Sequence, residues 1–439
     1  PTYRIINGKP HVLLFGKLEN GQSFLTINSF RPYFYIRESD VSSLPKEYEY
    51  TKTNFKNFNE EKLVKIYTEE PAEVPQLRKY LERSGVECYE ADIRFAYRFL
   101  IDNDIKSAIE IKEENYEQNE YVDRIYYEPT ITPTHFTPNL NVMSIDIETS
   151  TDGKKLYSIS MYSENFQKAL IVSKKKVKNA IVFKDEESLL EKFKEIILEE
   201  DPDVITGWSV IDFDLNFLKE KFKEHSISFV LGRTNQQCKI KLESDFFKTS
   251  KSDFQGRLVL DAISLLKGSF IQLENYKLST AASHFLNQEK LIDDYNKVEE
   301  IESMYKKNPE KLIEYNMKDA QLVLDIIKKT RVLDLTIHRS LLTGMPLDRV
   351  SASIASFDSL YLRKLKERNY AAPSVSFKNK EERITGGYVM DSIPGIYENI
   401  ILLDFKSLYP SIIRTFNIDP LTFVGKISGK NLIIAPNRA

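Results

Sequence analysis

Apolar and polar positions alternate differently in successive stretches of this chain. Near the start, HVLLFGKL, SFLTINSF and PYFYI are short runs rich in β-branched and aromatic residues, separated by Asn20-Gly21 and by Arg31-Pro32. That spacing predicts a meander of antiparallel strands. A helical periodicity then runs from Val74 to Ser84 and stops at Gly85. Between Ile101 and Asn141 the sequence turns polar and carries Pro129, Pro133 and Pro138, which predicts a domain boundary.

From Asn141 the pattern becomes apolar strands alternating with amphipathic helices. VMSIDIE, LYSISMY, AIVF and DVITGW read as strands, and RLVLDAISLL as a strand leading into a helix. ESLLEKFKEIILEE reads as a helix with Leu189, Phe193 and Ile196 on one face, followed by helices over DFDLNFLKEKFKE and PEKLIEYNMKDAQLVLDIIKKT. Together they predict an α/β domain ending near Arg331. A helical region with a basic face (Arg363, Lys364, Lys366, Arg368) follows, and Gly386-Gly387 introduces a further apolar strand, NIILLDF. The expected divisions are 1–140, 141–331, a helical connector over 332–385 returning to the first domain, and 386–439.

Composition narrows the class. With 439 residues, of which 41% are hydrophobic and 12% aromatic, the chain is long enough for about three domains, each with its own core. A net charge of -3 gives no global positive field, so any contact with nucleic acid must come from local patches. Cys88 and Cys238 are far apart and read as reduced thiols. No apolar run approaches the roughly 20 residues needed to span a bilayer, and the start lacks the apolar segment of a signal peptide. The expectation is a cytoplasmic protein with no membrane partner. The last residues, NLIIAPNRA, resume an apolar run and stop, which reads as a chain cut short. Beyond Asp404 the carboxylate side chains reduce to Asp419, against Lys406, Arg414, Lys426, Lys430 and Arg438. That end reads equally as a phosphate-facing surface and as a solvated basic one.

The candidate chemistry lies in three separated stretches. In MSIDIETS, strand alternation puts Asp146 and Glu148 on one face and Ile145 and Ile147 on the other, the two carboxylates starting about 6 to 7 Å apart. In VIDFDLNFL, Asp214 lies near a helix start, where Asp212 competes with it for the capping role. In EYNMKDA, Tyr315 and Asp319 are four residues apart and share a helix face, with Asp319 half embedded between Leu312, Leu322 and Ile326. Several carboxylates pressed against apolar sequence are costly unless cations compensate them. The economical reading is a site for two divalent metals that cleaves a phosphodiester.

Taken in this order, the motifs Asp-x-Glu, Phe-Asp and Tyr-x-x-x-Asp resemble the three exonuclease motifs of the family B DNA polymerases. CYEADIRFAYRFLID, DPDVITGW, RLVLD and GGYVMDSIPGIYENIILLDFKSLYPSIIRTFNIDP are similar to the bacterial DNA polymerase II group in particular. The resemblance implies an α/β multidomain chain: a β-rich N-terminal domain, an RNase H-like 3′ to 5′ exonuclease domain, and the beginning of a polymerase palm over 386–439. It implies that Asp146, Glu148, Asp214 and Asp319 hold two Mg²⁺ or Mn²⁺ ions, that Tyr315 helps position the attacking water, and that the product is a deoxynucleoside monophosphate. In the half-built polymerase site it implies metal binding by Asp404, triphosphate contacts at Ser407 and Leu408, and sugar selection by Tyr409. The implied partners are primer-template DNA, single-stranded 3′ ends and, in a full enzyme, dNTPs. A sliding clamp is a further candidate partner that nothing in these residues reads out. The implied setting is bacterial and nucleoid-associated, in replication and repair.

Two positions depart from the family pattern. Its second motif usually has asparagine five residues before the metal-binding aspartate, where this chain has Ser209, and the tyrosine that many archaeal relatives place before Gly-Gly is replaced by Ile384. No Asp-Thr-Asp follows Asp404, nor does a lysine-bearing fingers helix. These residues are therefore expected to show exonuclease activity alone. The alternatives are a free-standing exonuclease, against which DFKSLYPSII argues, and a non-catalytic DNA-binding or scaffolding part of a split polymerase.

Overall fold

The computed structural model describes residues 1–243, 250–288, 297–375 and 390–422. The first part holds β1 (Thr2–Ile6), β2 (Lys9–Lys17), β3 (Ser23–Ser29), β4 (Tyr33–Arg37), β5 (Tyr50–Lys56), β6 (Lys62–Tyr67), α1 (Glu73–Arg83), β7 (Cys88–Tyr89), α2 (Phe95–Asp102), β8 (Ala108–Ile111), β9 (Arg124–Tyr127) and β10 (Ile131–Thr134). The expected meander is present only through β3. Strands β1, β2 and β3 are antiparallel neighbours, with β9 added parallel to β3, whereas β4 leaves for a second sheet of order β5-β6-β4-β7. Both faces of β4 are apolar: Phe34 and Ile36 pack with Leu77 and Leu81 of α1, and Tyr33 and Tyr35 with Leu63 and Ala371 on the other side. A strand buried on both faces belongs in the middle of a covered sheet. The helix expected at 74–84 is α1, and Gly85 after it has φ +80, a left-handed conformation suited to glycine.

The second part holds β11 (Val142–Thr149), β12 (Leu156–Tyr162), β13 (Gln167–Val172), β14 (Ile181–Phe183), α3 (Glu186–Glu200), β15 (Val204–Gly207), α4 (Asp214–Glu224), β16 (Lys239–Lys241), β17 (Lys251–Asp253), β18 (Leu258–Asp261), α5 (Ala262–Gly268), α6 (Leu278–Leu286), α7 (Lys297–Lys307) and α8 (Pro309–Thr330). Its main sheet has the order β14-β13-β12-β11-β15-β18. Strand β11 is antiparallel to β12 and parallel to β15. On one face Met143, Ile145 and Ile147 pack against Phe193 and Ile197 of α3 and Leu215 and Phe222 of α4. On the other, Tyr157, Ala169 and Ile171 pack against Leu312, Ile313 and Tyr315 of α8. The sheet is thus a covered middle layer whose central strand turns Asp146 and Glu148 toward α8. Strand β13 was not expected from the sequence, since QKALIV offers only a short apolar run after Gln167 and Lys168.

Two more helices follow, α9 (Val332–Thr343) and α10 (Ser353–Glu367), and the chain then runs back along the second N-terminal sheet. There Ala371 N donates to Lys56 O at 2.9 Å and Ser374 N to Cys88 O at 3.0 Å. The basic face expected on α10 is divided: Arg363 and Lys366 are used inside the fold, while Lys364 and Arg368 are exposed. Arg363 is buried and donates to Leu100 O at 3.0 Å and Ile105 O at 2.8 Å, Lys366 donates to Asp102 O, and Lys364 pairs with Glu367 at 2.7 Å. Carbonyls at and beyond the C-terminus of α2 lack intrahelical partners, and two of these cations supply them.

NIILLDF does not form the expected strand. Residues 400–405 carry no regular secondary structure, their apolar side chains exposed, before α11 (Leu408–Phe416). A strand exists only by pairing, and among the described residues none runs alongside. Gly386-Gly387, Ile384, Lys426, Lys430, Arg438 and the final NLIIAPNRA lie outside the described residues.

Candidate active site

The site is built where β11, α4 and α8 meet. On β11, Asp146 stands opposite Ser160 of β12 and Glu148 opposite Ser158. Helix α8 starts sharply, with Pro309 in its first turn and Asn308 accepting from Lys311 N at 3.2 Å, and it is buried nearly all round. That fixed start sets the phase that turns Tyr315 and Asp319 onto the sheet. Asp146, Glu148 and Asp319 each bring an oxygen to within 4.8 Å of the others. Asp319 is 2% exposed and Glu148 4%.

Asp214 joins from the first turn of α4. Pairing of β11 with β15 ends at Ser144 and Thr206, so the Ile147 N–H beyond it is open, and Asp214 Oδ1 accepts it at 3.1 Å. This decides between the two candidate aspartates: Asp214 is buried and Asp212 exposed. Burial, then the charge of Asp146 and to a lesser degree Glu148, holds the Asp214 carboxyl well above the usual carboxylate range. It lies outside the set of three mutually close oxygens but within their field.

Tyr315 is 1% exposed, which excludes a surface tyrosine beside a solvated aspartate. Burial, with Asp319 and Glu148 close by, pushes its phenol far above the ordinary tyrosine range. The hydroxyl therefore keeps its proton at any working pH and acts as a donor.

The loop between β15 and α4 is fastened from outside. Asp261, at the end of β18, accepts from Val210 N and from Ser264 N, each at 2.9 Å, and Trp208 Nε1 donates to Tyr276 O at 2.9 Å. Ser209 has φ +63, a left-handed backbone that asparagine tolerates better than serine. The loop and the start of α4 border an open groove of about 560 Å³ whose lining includes Lys154, Phe213 and Phe217 beside the acidic Asp212, Glu220 and Glu224, with Phe213 half exposed.

One residue at the centre of the site escaped the sequence reading. Asn316 has no exposed surface and donates from Nδ2 to Asp146 Oδ2 at 2.6 Å. Its position immediately after Tyr315, three before Asp319, was the available signal. The candidate nucleotide-binding residues stand elsewhere: Asp404 is exposed in the irregular run before α11, Ser407 precedes that helix, and Leu408 and Tyr409 open it. They are not among the clustered carboxylates. Asp419, the remaining carboxylate on that segment, accepts from Tyr361 Oη and from Leu421 N, both at 2.7 Å.

Comparison with known proteins agrees with this geometry. The profile described as DNA polymerase family B, exonuclease domain, matches residues 86–281, and that described as DNA polymerase family B matches 349–437. DNA polymerase II of Escherichia coli is 32% identical over 380 residues, covering 84% of this chain and 47% of that protein. A DNA polymerase of Thermococcus gorgonarius is 27% identical over 448 residues, covering 95% and 53%. The solved family B DNA polymerase of the archaeon Pyrobaculum calidifontis shares the fold at a TM-score of 0.75 and 22% identity, over 99% of this chain and 59% of that one. The chain thus spans about half the length of the curated relatives it matches. With the family's exonuclease profile covering Asp146, Glu148 and Asp214 and its polymerase profile following, the chain belongs to the family B DNA polymerases.

Proposed function

We propose that this chain is a 3′ to 5′ exonuclease of a family B DNA polymerase, releasing deoxynucleoside monophosphates from single-stranded DNA ends with Mg²⁺ or Mn²⁺. The observation that carries the proposal is the convergence of Asp146, Glu148 and Asp319 to within 4.8 Å in a largely buried place. Three carboxylates so close repel one another and have lost much of their hydration. An all-oxygen, anionic donor set suits a hard divalent cation, so the residues fit the ions the family implies.

Asp146, Glu148, Asp214 and Asp319 would hold two such ions. When bound, they supply the positive charge that offsets the negative charge gathering on a phosphodiester under attack. The remaining work belongs to the chain. Tyr315, its protonated phenol beside Asp319, would help position the attacking water, and Asp214 couples α4 to β11 so that the ligand-bearing elements keep their spacing. Phe213 and Phe217, with ring centroids 6.4 Å apart beside the groove, give a frayed base an aromatic surface on which to stack.

Asp404, Ser407, Leu408 and Tyr409 belong to the same proposal as the dNTP-binding part of a polymerase site. Two-metal transfer there needs a second carboxylate, and Asp419 is committed to Tyr361 and Leu421. These 439 residues are therefore proposed to trim DNA without extending it. The 32% identity to the Escherichia coli enzyme supports a place in the bacterial DNA polymerase II branch, with primer-template DNA as partner and replication or repair as setting. Among the described residues, no helix is long and apolar enough to cross a membrane.

The test is digestion of a 5′-labelled single strand by the purified chain in Mg²⁺. The parent should shorten it one nucleotide at a time and, given dNTPs and a primer-template, add nothing. Asp146→Ala with Glu148→Ala should slow digestion at least about 1,000-fold, the consequence of losing several kcal/mol of charge stabilisation. Digestion by the double variant at the parent's rate would remove the site assignment, and templated extension by the parent would overturn the division of labour.

A further inference from the structure

Behind the carboxylate cluster lies a polar side chain that the proposed chemistry does not use. Asn316 is fully buried on α8. A primary amide withdrawn from water is costly unless its donors and acceptor find partners. Its Oδ1 accepts from Ser158 Oγ at 2.9 Å and Ser160 Oγ at 2.8 Å, while Nδ2 donates to Asp146 Oδ2 at 2.6 Å. Chemistry fixes which way the amide points. An ionised carboxylate only accepts, so nitrogen must face Asp146, and the oxygen then faces two hydroxyls able to donate.

The placement is specific. Ser158 and Ser160 stand on β12 directly opposite Glu148 and Asp146 of β11, so the amide from α8 ties both strands together under the cluster. An untethered carboxylate turns about its Cβ–Cγ bond, whereas a short bond to one oxygen fixes its plane. We propose that Asn316 is a positioning residue: anchored by Ser158 and Ser160, it sets the rotation of the Asp146 carboxylate and thereby the affinity of the cluster for a divalent cation. The inference rests on the metal-dependent nuclease reading above and deepens it. Partners of ligating side chains typically change metal affinity about 10- to 100-fold when removed.

The experiment measures the Mn²⁺ dissociation constant by electron paramagnetic resonance of free Mn²⁺, with circular dichroism melts alongside. It uses the parent chain, Asn316→Leu, the double variant Ser158→Ala with Ser160→Ala, Asp146→Ala, and Leu324→Ala as a control for lost packing on α8. Asn316→Leu should bind Mn²⁺ about 10- to 100-fold more weakly, and its exonuclease rate should climb toward the parent's as Mn²⁺ is raised. The serine double variant should shift in the same direction by less. Leu324→Ala should melt earlier with its Mn²⁺ constant unchanged. A folded Asn316→Leu with the parent's constant overturns the inference, and so does an unchanged constant in the serine double variant should Asn316→Leu fail to fold. A parent that binds no Mn²⁺, or an Asp146→Ala variant that binds it as the parent does, overturns the nuclease reading itself.

Discussion

At Asp214 a single carboxyl meets burial and two neighbouring anions at once. Its folded-state pKa is raised, so its contribution to stability is complete below the ordinary aspartate value and is lost as pH rises through the raised one. In the metal-free chain this predicts falling stability toward neutral pH. Asp214→Asn removes the charge and keeps an oxygen for the Ile147 N–H. Without metal, the variant should melt about 2 to 4 °C above the parent at neutral pH, the gap closing on acidification, as a gain of order 1 kcal/mol implies. Added Mn²⁺ should raise the melting temperature of the parent more than that of the variant, which keeps Asp146, Glu148 and Asp319, and the variant's exonuclease activity should be lost. A variant that melts below the parent at neutral pH contradicts the electrostatic account. The resemblance chose Asp214, but spacing alone could not choose it over Asp212, because that choice depends on where β15 stops and leaves Ile147 unpaired. Asn316 was illegible for a related reason: a lone asparagine inside a helix gives no sign of what it faces until the sheet beneath it is known.

Among the elements, the close approach of β15 to β11 governs how the three ligand-bearing segments meet. Gly207 ends β15, and a Cβ there would lie 2.7 Å from Ile145 O and 3.0 Å from Val210 Cβ. Backbone cannot yield as a flexible side chain does, so Gly207→Ala must push β15 and the following loop away from β11, carrying Asp214 with it. Gly207→Ala is predicted to lower stability by about 1 to 3 kcal/mol, as overpacking does, and to cut the exonuclease rate at least about tenfold. Unchanged melting and unchanged rate would show that the contact is not needed. Helix α8 was legible to its ends, since Asn308, Pro309 and the apolar periodicity agree locally. Strand β4 was legible as a strand but not in its sheet, because alternation cannot reveal that Tyr33 and Tyr35 are as covered as Phe34 and Ile36. NIILLDF has the composition of a buried strand, yet composition supplies no ladder partner.

Across the whole molecule, buried charge joins the N-terminal sheets to the layer that carries the site. Lys17 on β2 reaches Asp203 Oδ2 at 3.0 Å, Arg233 holds the other oxygen at 2.7 Å, and Asn141 N donates to Asp203 at 2.8 Å. Arg233 and Arg257 also share Asp201, at 2.8 and 3.1 Å. The segment Asp201-Pro202-Asp203 thus fastens β2, the residue before β11, Arg233 and Arg257 around one point. The sequence marked DPDVITGW through resemblance, while its role as a junction emerged only from partners far away along the chain. This scaffold allows carboxylates distant in sequence to be held together against their own repulsion, which is the central claim. The most direct test is anomalous diffraction from crystals of the chain soaked in Mn²⁺. The account predicts a manganese peak among the carboxylates of Asp146, Glu148 and Asp319, absent in Asp146→Ala; soaked crystals with no manganese at that cluster would contradict it.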